Sequence, residues 1–232
     1  MFYYDETYLL VLAGVIISLL ASAKVKSTFA KYSKVRNMRG ITGAEAAERV
    51  LQSAGIYDVR IEHVSGNLSD HYDPRSKVLR LSDAVYAQES VAAVGVACHE
   101  CGHAIQHARG YAPLHLRSVL VPIANFGSMI AWPLILIGLL FTSESSMLFI
   151  SLGILAFSAA VLFQLITLPV EFNASKRAIG MIEQTGLLDE NEIQGTKKVL
   201  SAAALTYVAS AAASVLQLLR IVLLAGGRRR ND

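Results

Sequence analysis

Four long runs of apolar residues constrain this chain more than any other feature. Residues 7–23, 119–141 and 147–170 carry no charge, and residues 199–225 carry a single one, Arg220. The second and third runs are each about 23 residues long, enough for a helix to cross about 30 Å of hydrocarbon. Hydrophobic residues make up 53% of the 232, above the usual share in soluble domains. Part of the chain is therefore expected to lie in a bilayer.

The first run is interpreted as a retained span and not as a signal peptide. It is longer than a typical signal core, and Asp5 and Glu6 stand where a basic region would be expected. The short connector TSESS, residues 142–146, makes the second and third runs a membrane hairpin.

The fourth run allows three interpretations: it crosses the membrane, packs on the other helices, or lies in the interface. Basic residues crowd directly after the first run, and the positive-inside rule places that end in the cytoplasm. A fourth crossing would then export the basic tail, residues 228–230, which favours a segment that does not fully cross. The basic residues after the first run are Lys24, Lys26, Lys31, Lys34, Arg36 and Arg39.

The net charge of +3 comes from basic residues near span ends, without an aromatic and basic platform. Membrane lipid is the expected partner and nucleic acid is not. The oligomeric state is left open, including a homo-oligomer or a complex with a small membrane protein.

Residues 25–114 form the one sizeable polar region. Thr42 and Glu45 predict a capping box for a helix that stops at Gly55, and a second helical pattern runs from Ser90 to Gly110. Between them, residues 59–64 and 77–82 alternate with period two across a turn-rich segment, which predicts a small β-hairpin.

These patterns predict a mainly α membrane protein with three to four transmembrane or membrane-associated helices and a small cytoplasmic α+β domain. That domain would contain the β-hairpin and the second polar helix. The predicted organisation is 1–24, an N-terminal transmembrane helix; 25–114, the cytoplasmic region; 115–170, a transmembrane hairpin; 171–198, a cytoplasmic helix; and 199–232, an apolar helix with a basic tail.

The second polar helix contains the motif HECGH, residues 99–103. Four residues apart on a helix, His99 and His103 share one face, separated by about 40° and 6 Å of rise. Two imidazoles can then reach one metal ion, and Glu100 lies beside them where a carboxylate can accept a proton from water. This HExxH pattern is typical of zinc metalloproteases.

The neighbouring residues fit the site less well. Cys98 and Cys101 project away from His99 and are expected in the core, although their spacing also suggests a redox or zinc pair. His107 starts about 12 Å along the axis from His99, so a straight helix cannot bring all three histidines to one ion. His107 is therefore expected at the rim of the site or as a support for a ligand.

Glu171, directly after the third apolar run, is the best candidate for the third ligand. Taken alone it could be an ordinary interfacial charge, but both segments are expected on the cytoplasmic side. Asn173 and Ser175 follow it and could hydrogen-bond the ligands. Two histidines and a carboxylate suit zinc and also Fe(II), although no oxygenase cosubstrate motif favours iron.

Four segments give the chain a resemblance to the YugP-type membrane proteases, bacterial neutral zinc metallopeptidases, along nearly its whole length. They are LSDHYDPRSKVLRLS (68–82), SVAAVGVACHECGHAIQH (90–107), LPVEFNASKRA (168–178) and ALTYVAS (204–210). More distantly, the chain is similar to the gluzincins, including the HtpX-type and prenyl-protein membrane endopeptidases.

The resemblance implies a zincin-like catalytic domain with Zn²⁺ as cofactor, His99, His103 and Glu171 as ligands, and Glu100 as catalytic base. The distant relatives tend to carry an acid four residues after the ligand glutamate, whereas this chain has Ser175. An acidic partner for a ligand histidine is therefore not expected there.

The implied function is a multi-pass zinc metalloendopeptidase of the bacterial plasma membrane that cleaves protein or peptide substrates at the cytoplasmic surface. His71 and Tyr207 are candidate oxyanion donors, each with a structural alternative: a capped loop for His71 and a packed helix for Tyr207. The predicted strand 77–82 could also bind an extended peptide as an added strand. Two alternatives stay open: a protease that cuts within the bilayer, and a zinc-binding scaffold without activity.

Overall fold

The computed structural model describes residues 6–140 and 145–229, with side chains up to residue 226. The chain order is α1 (Tyr8–Tyr32), α2 (Gly43–Ser53), β1 (Arg60–Val64), β2 (His71–Asp73), β3 (Val78–Ser82), α3 (Val91–Ala108), α4 (Ala112–Leu140), α5 (Ser146–Thr185) and α6 (Glu190–Arg229). The described part of the chain is thus mainly helical with one small sheet. Most of the predicted connector and the end of the basic tail lie outside the described residues.

Among the described residues, α1, α4, α5 and α6 are long and apolar enough to cross a membrane. The fourth predicted run therefore forms part of a helix with the length and composition of a span, although its path through the bilayer stays a prediction. Helix α5 continues without a break through the predicted boundary at residue 170. The apolar residues before this boundary and the more polar residues after it belong to the same helix.

The chain divides into two compact units. The apolar unit comprises Met1–Ala21, Leu116–Leu168 and Thr206–Asp232, and the polar unit comprises Ser22–His115 and Pro169–Leu205. In the apolar unit the Arg220 guanidinium lies over the ring of Tyr8, 4.1 Å from its centroid. A cation over an aromatic face is stabilised by the ring quadrupole, so this charge in an apolar helix has a partner on α1.

The helix boundaries predicted for the polar unit are confirmed. The Thr42 hydroxyl accepts from the Glu45 amide, and the Glu45 carboxylate accepts from the Thr42 amide, which completes the capping box of α2. The Ser90 hydroxyl caps α3 by accepting from the Ala93 amide, and Gly110, with φ +61°, follows the end of that helix.

The predicted hairpin between the two alternating runs is wrong in its pairing. Strands β1 and β3 are parallel, and the hairpin is formed by β2 and β3, which are antiparallel. The period-two pattern identifies strands but not their direction or partners, and β2 is only three residues long. Asp70, directly before β2, accepts hydrogen bonds from both the amide and the hydroxyl of Ser82 at the end of β3, which links the ends of these two strands.

β3 is the central strand of the sheet, in the order β1-β3-β2. Leu79 and Leu81 are fully buried in a core shared with α2 and α3. The expectation that this strand accepts a peptide as an added strand is therefore wrong, because β1 and β2 already occupy its two edges.

Candidate metal centre

Helix α3 and helix α5 bring three potential ligands together within the polar unit. The Glu171 Oε2 atom lies 3.3 Å from His99 Nε2 and 3.5 Å from His103 Nε2. All three ligand atoms lie within 4.8 Å of one another, so this group could hold a metal ion. The Glu171 side chain is only 2% exposed, so a cation bound there would be largely shielded from bulk water.

Gly102 explains how two helix backbones come so close at this point. A Cβ atom at Gly102 would overlap the carbonyl oxygen of Ala174 on α5. Ala174 lies between Glu171 and Ser175, so this contact directs both of those side chains towards the motif. The small residue inside HECGH is therefore required by helix packing.

Gln106 orients His103. The Gln106 Nε2 amide donates to the carbonyl of Val170 and to Asn173 Oδ1, and a carbonyl can only accept. The amide orientation is thus fixed, and Gln106 Oε1 accepts from His103 Nδ1 at 3.0 Å. A neutral His103 that donates through Nδ1 presents the lone pair of Nε2 to the metal position.

Of the two residues expected to hydrogen-bond the ligands, Ser175 contacts His99 directly, whereas Asn173 contacts Gln106. Asn173 Oδ1 accepts from the Arg177 guanidinium at 2.7 Å, which fixes the amide that receives the Gln106 hydrogen bond. The Ser175 hydroxyl lies 3.1 Å from His99 Nδ1. A contact of the Ser175 hydroxyl with Nδ1 leaves His99 Nε2 facing Glu171.

The electrostatics of the site favour a cation. Burial alone would lower the pKa of His103, but the hydrogen bond that its ring donates to Glu171 and the charges of Glu100 and Glu171 outweigh this effect, and the pKa is raised. The donor set, with both Nδ1 atoms engaged and both Nε2 atoms turned towards a carboxylate, fits a divalent metal.

Glu100 lies on the same helix, next to the ligands. It is 9% exposed, and its Oε2 atom accepts from the backbone amide of Tyr72 at 3.0 Å. Tyr72 belongs to β2, one of the two outer strands, so the sheet positions the carboxylate that the sequence predicts as the base.

Comparison with known proteins identifies the family. The model of the family described as "Putative neutral zinc metallopeptidase" matches residues 7–226. The chain belongs to this zinc metallopeptidase family. The "Putative membrane protease YugP" of Bacillus subtilis (strain 168) is 52% identical over 223 residues, which cover 96% of this chain and 98% of that protein. No solved structure gives a significant match.

Family membership identifies zinc as the cofactor. The two imidazoles and one carboxylate of the candidate centre suit this metal, since catalytic zinc sites typically have three protein ligands and one open position. The long apolar helices, together with the named relative, show that the protein is a membrane protein.

Like Gln106, Tyr72 is a residue near the site that the sequence did not predict. Its hydroxyl lies 2.9 Å from His107 Nδ1. Burial, with the charges of Asp58 and Asp73, raises the pKa of Tyr72 to about 12, so the phenol stays protonated and can donate to His107. His107 thus lies outside the ligand group, and its predicted place at the rim is consistent with its exposed side chain.

Of the two proposed oxyanion donors, His71 lies on β2 and Tyr207 on α6. His71 is exposed, donates from Nδ1 to the carbonyl of Ser69 and approaches the Arg80 guanidinium through Nε2. These contacts differ from the predicted capping by Asp70 and Asp73. Tyr207 lies on α6 in the apolar unit, and its role stays a prediction.

Cys98 and Cys101 are fully buried free thiols in the core of the polar unit. Burial raises the pKa of Cys98 to about 12 and raises that of Cys101 well above its usual value. Neither belongs to the group of potential ligands in the described part of the chain. The expectation that they are core residues agrees with these positions.

Proposed function

We propose that this protein is a membrane-anchored zinc metalloendopeptidase that hydrolyses peptide bonds near the cytoplasmic surface of the bacterial plasma membrane. His99, His103 and Glu171 would bind the zinc ion, and Glu100 would act as the base. The convergence of the three ligand atoms beside a buried glutamate carries this proposal.

The protein supplies a preorganised site for this chemistry. A bound zinc ion would contribute Lewis acidity, which polarises a peptide carbonyl and acidifies water at the site. Glu100 accepts a proton from that water and returns it to the leaving amine. The Tyr72 amide holds one carboxylate oxygen of Glu100, which restricts its rotation while the other oxygen carries the proton.

The cytoplasmic placement rests on charge. Lysines and arginines follow the apolar part of α1 directly, and Lys176 and Arg177 follow that of α5, so the positive-inside rule assigns both ends to the cytoplasm. The motif helix and Glu171 belong to the same polar unit as these residues. This arrangement favours cleavage at the membrane surface over cleavage within the bilayer.

Replacing Glu100 by glutamine tests the function. The Glu100→Gln variant should keep the zinc content of the parent, because all three ligands remain, and lose about 10²- to 10⁴-fold in peptide hydrolysis. Zinc is measured by elemental analysis of the purified full-length protein, and cleavage by mass spectrometry of a peptide library.

Glu48→Gln, an exposed position on α2, is the matched control and should retain full activity. Full cleavage by Glu100→Gln would refute the assigned mechanism. An absence of hydrolysis in zinc-loaded parent and variant alike would instead favour a zinc-binding scaffold. A proteomic comparison of membranes that carry the parent or the Glu100→Gln variant would identify substrates, because substrates accumulate intact with Glu100→Gln.

A further inference from the structure

The polar unit contains a cavity of about 1120 Å³ that the catalytic proposal does not use. Its walls are the C-terminal part of α1, the part of α5 that follows Glu171, and the part of α6 around residues 194–205. We call it the lysine pocket, after the five lysines in its lining: Lys24, Lys31, Lys176, Lys197 and Lys198.

The charge of the lysine pocket is strongly one-sided. Glu183 is the one acidic residue of its lining, and its carboxylate binds Lys197 Nζ at 3.0 Å. Within the described part of the chain, Lys24, Lys176 and Lys198 have no ion-pair partner. Three clustered cations without counter-charges create a positive potential that favours an anionic occupant.

Apolar side chains share the same lining. Phe172 and Leu205 are 51% and 46% exposed, and Ile179 and Tyr32 also line the pocket. A small soluble anion would leave this apolar surface in contact with water. An occupant with an anionic group and an attached hydrocarbon chain would cover both kinds of surface, which lowers the free energy through charge pairing and apolar burial.

The lysines stand at the ends of apolar runs. Lys24 directly follows the run at residues 7–23, Lys198 directly precedes the run at 199–225, and Lys176 lies six residues after the run at 147–170. In membrane proteins, lysines at the ends of spans lie at the level of the lipid headgroups. The chain therefore places this charge cluster where phosphate groups are abundant.

We propose that the lysine pocket binds the headgroup phosphate of one anionic phospholipid, with an acyl chain along Phe172 and Leu205. The inference rests on the membrane location of the protein and not on its peptidase activity. Ser175 lines the pocket and also hydrogen-bonds His99, so the bound lipid would lie next to a residue that supports the metal centre.

The test measures lipid binding to the full-length protein in a non-ionic detergent. Phosphatidylglycerol and phosphatidylcholine are titrated separately, and bound lipid is counted by native mass spectrometry. The parent should bind one phosphatidylglycerol in preference to phosphatidylcholine. The double variant Lys176→Gln, Lys198→Gln should weaken that binding roughly 25-fold, at about fivefold for each lysine near a phosphate.

The control is the double variant Lys26→Gln, Lys34→Gln. It removes the same charge from exposed positions of the same basic region outside the pocket lining. Its affinity for phosphatidylglycerol should stay within about twofold of the parent, since distant exposed charges are screened. Equal weakening by the two double variants would overturn the proposal in favour of general surface attraction.

A second variant tests the cavity without changing charge. Gly180 lines the pocket, and a Cβ atom added there meets no atom within 4 Å. Gly180→Leu should therefore fold, fill part of the pocket and weaken phosphatidylglycerol binding at least tenfold, whereas Gly180→Ala should not. Unchanged binding by Gly180→Leu, equal binding of phosphatidylcholine, or displacement of the lipid by millimolar inorganic phosphate would each overturn the proposal.

Discussion

The two faces of α3 show that burial alone does not make a reactive group. One face carries His99, Glu100 and His103, and the opposite face carries Cys98 and Cys101; both faces are largely closed to solvent. The two faces differ in the groups that contact them. Polar and charged groups from α5 and β2 surround the first face, whereas the thiols pack in an apolar core.

The pKa values follow from this difference. Without a cation nearby, burial raises the pKa of both thiols, which keeps them protonated and unreactive. The pKa of His103 is raised despite burial, because Glu171 lies beside it. The histidine face can thus accommodate a positive charge, whereas the cysteine face packs in the apolar core.

The largest effect should come from the one proposed ligand that α3 does not supply. Glu171→Ala removes one of the three proposed ligands and should lower zinc affinity well over a hundredfold, more than the loss of a supporting hydrogen bond. Glu183→Ala, an exposed residue on the same helix, should leave zinc content unchanged. Full zinc stoichiometry in Glu171→Ala, by elemental analysis after dialysis, would remove Glu171 from the site.

Gln106→Leu tests the support behind the histidine face. Leucine has a similar volume but cannot accept from His103 Nδ1, so zinc affinity should fall about 10- to 100-fold. Competition with a chelator of known affinity measures this change. The exposed control Gln52→Leu on α2 should bind zinc like the parent. An unchanged affinity in Gln106→Leu would mean that His103 needs no fixed tautomer.

Gly102→Ala tests how closely α3 and α5 must approach. The added methyl group would overlap the Ala174 carbonyl, and overpacking of this kind costs about 1 to 3 kcal/mol in the free energy of unfolding. Thermal unfolding should occur several degrees lower. Gly180→Ala, on an open part of α5, should be neutral or slightly stabilising. Equal stability of the two variants would contradict the close contact.

The smallest effect should come from the cysteine face. A double variant, Cys98→Ala with Cys101→Ala, should bind zinc within about twofold of the parent and lose roughly 1 to 2 kcal/mol of stability, because only small buried groups are removed. In the parent, thiol reagents at pH 8 should label neither cysteine until the protein unfolds. Loss of zinc from the double variant would show that the C-x-x-C spacing binds metal after all.

Local patterns predicted much of this protein. The caps of α2 and α3, the shared face of His99 and His103, and the inward position of the cysteines follow from helical periodicity, which depends only on neighbouring residues. The exclusion of His107 as a ligand followed from helix rise alone. Gln106 could have been noticed as well, since it is a polar residue three positions after His103, although its complete burial could not.

Such local patterns could not predict how the strands pair or which distant residues support the motif. The alternation in residues 59–64 and 77–82 is the same for parallel and antiparallel strands, so it could not reveal β2 as the partner that forms the hairpin. Tyr72, in a turn-rich segment, gave no signal that its amide reaches Glu100 from 28 residues away.

By itself, the sequence determined that this chain enters a membrane and carries a two-histidine motif with a glutamate beside it, because hydropathy and helical spacing are local properties. Only the tertiary structure decided what surrounds that motif. The close approach of α3 and α5 at Gly102, the direction of β2, and the meeting of Gln106 with Val170 and Asn173 each depend on residues far apart in the chain. Contacts of that kind are set by packing, which no short stretch of sequence contains.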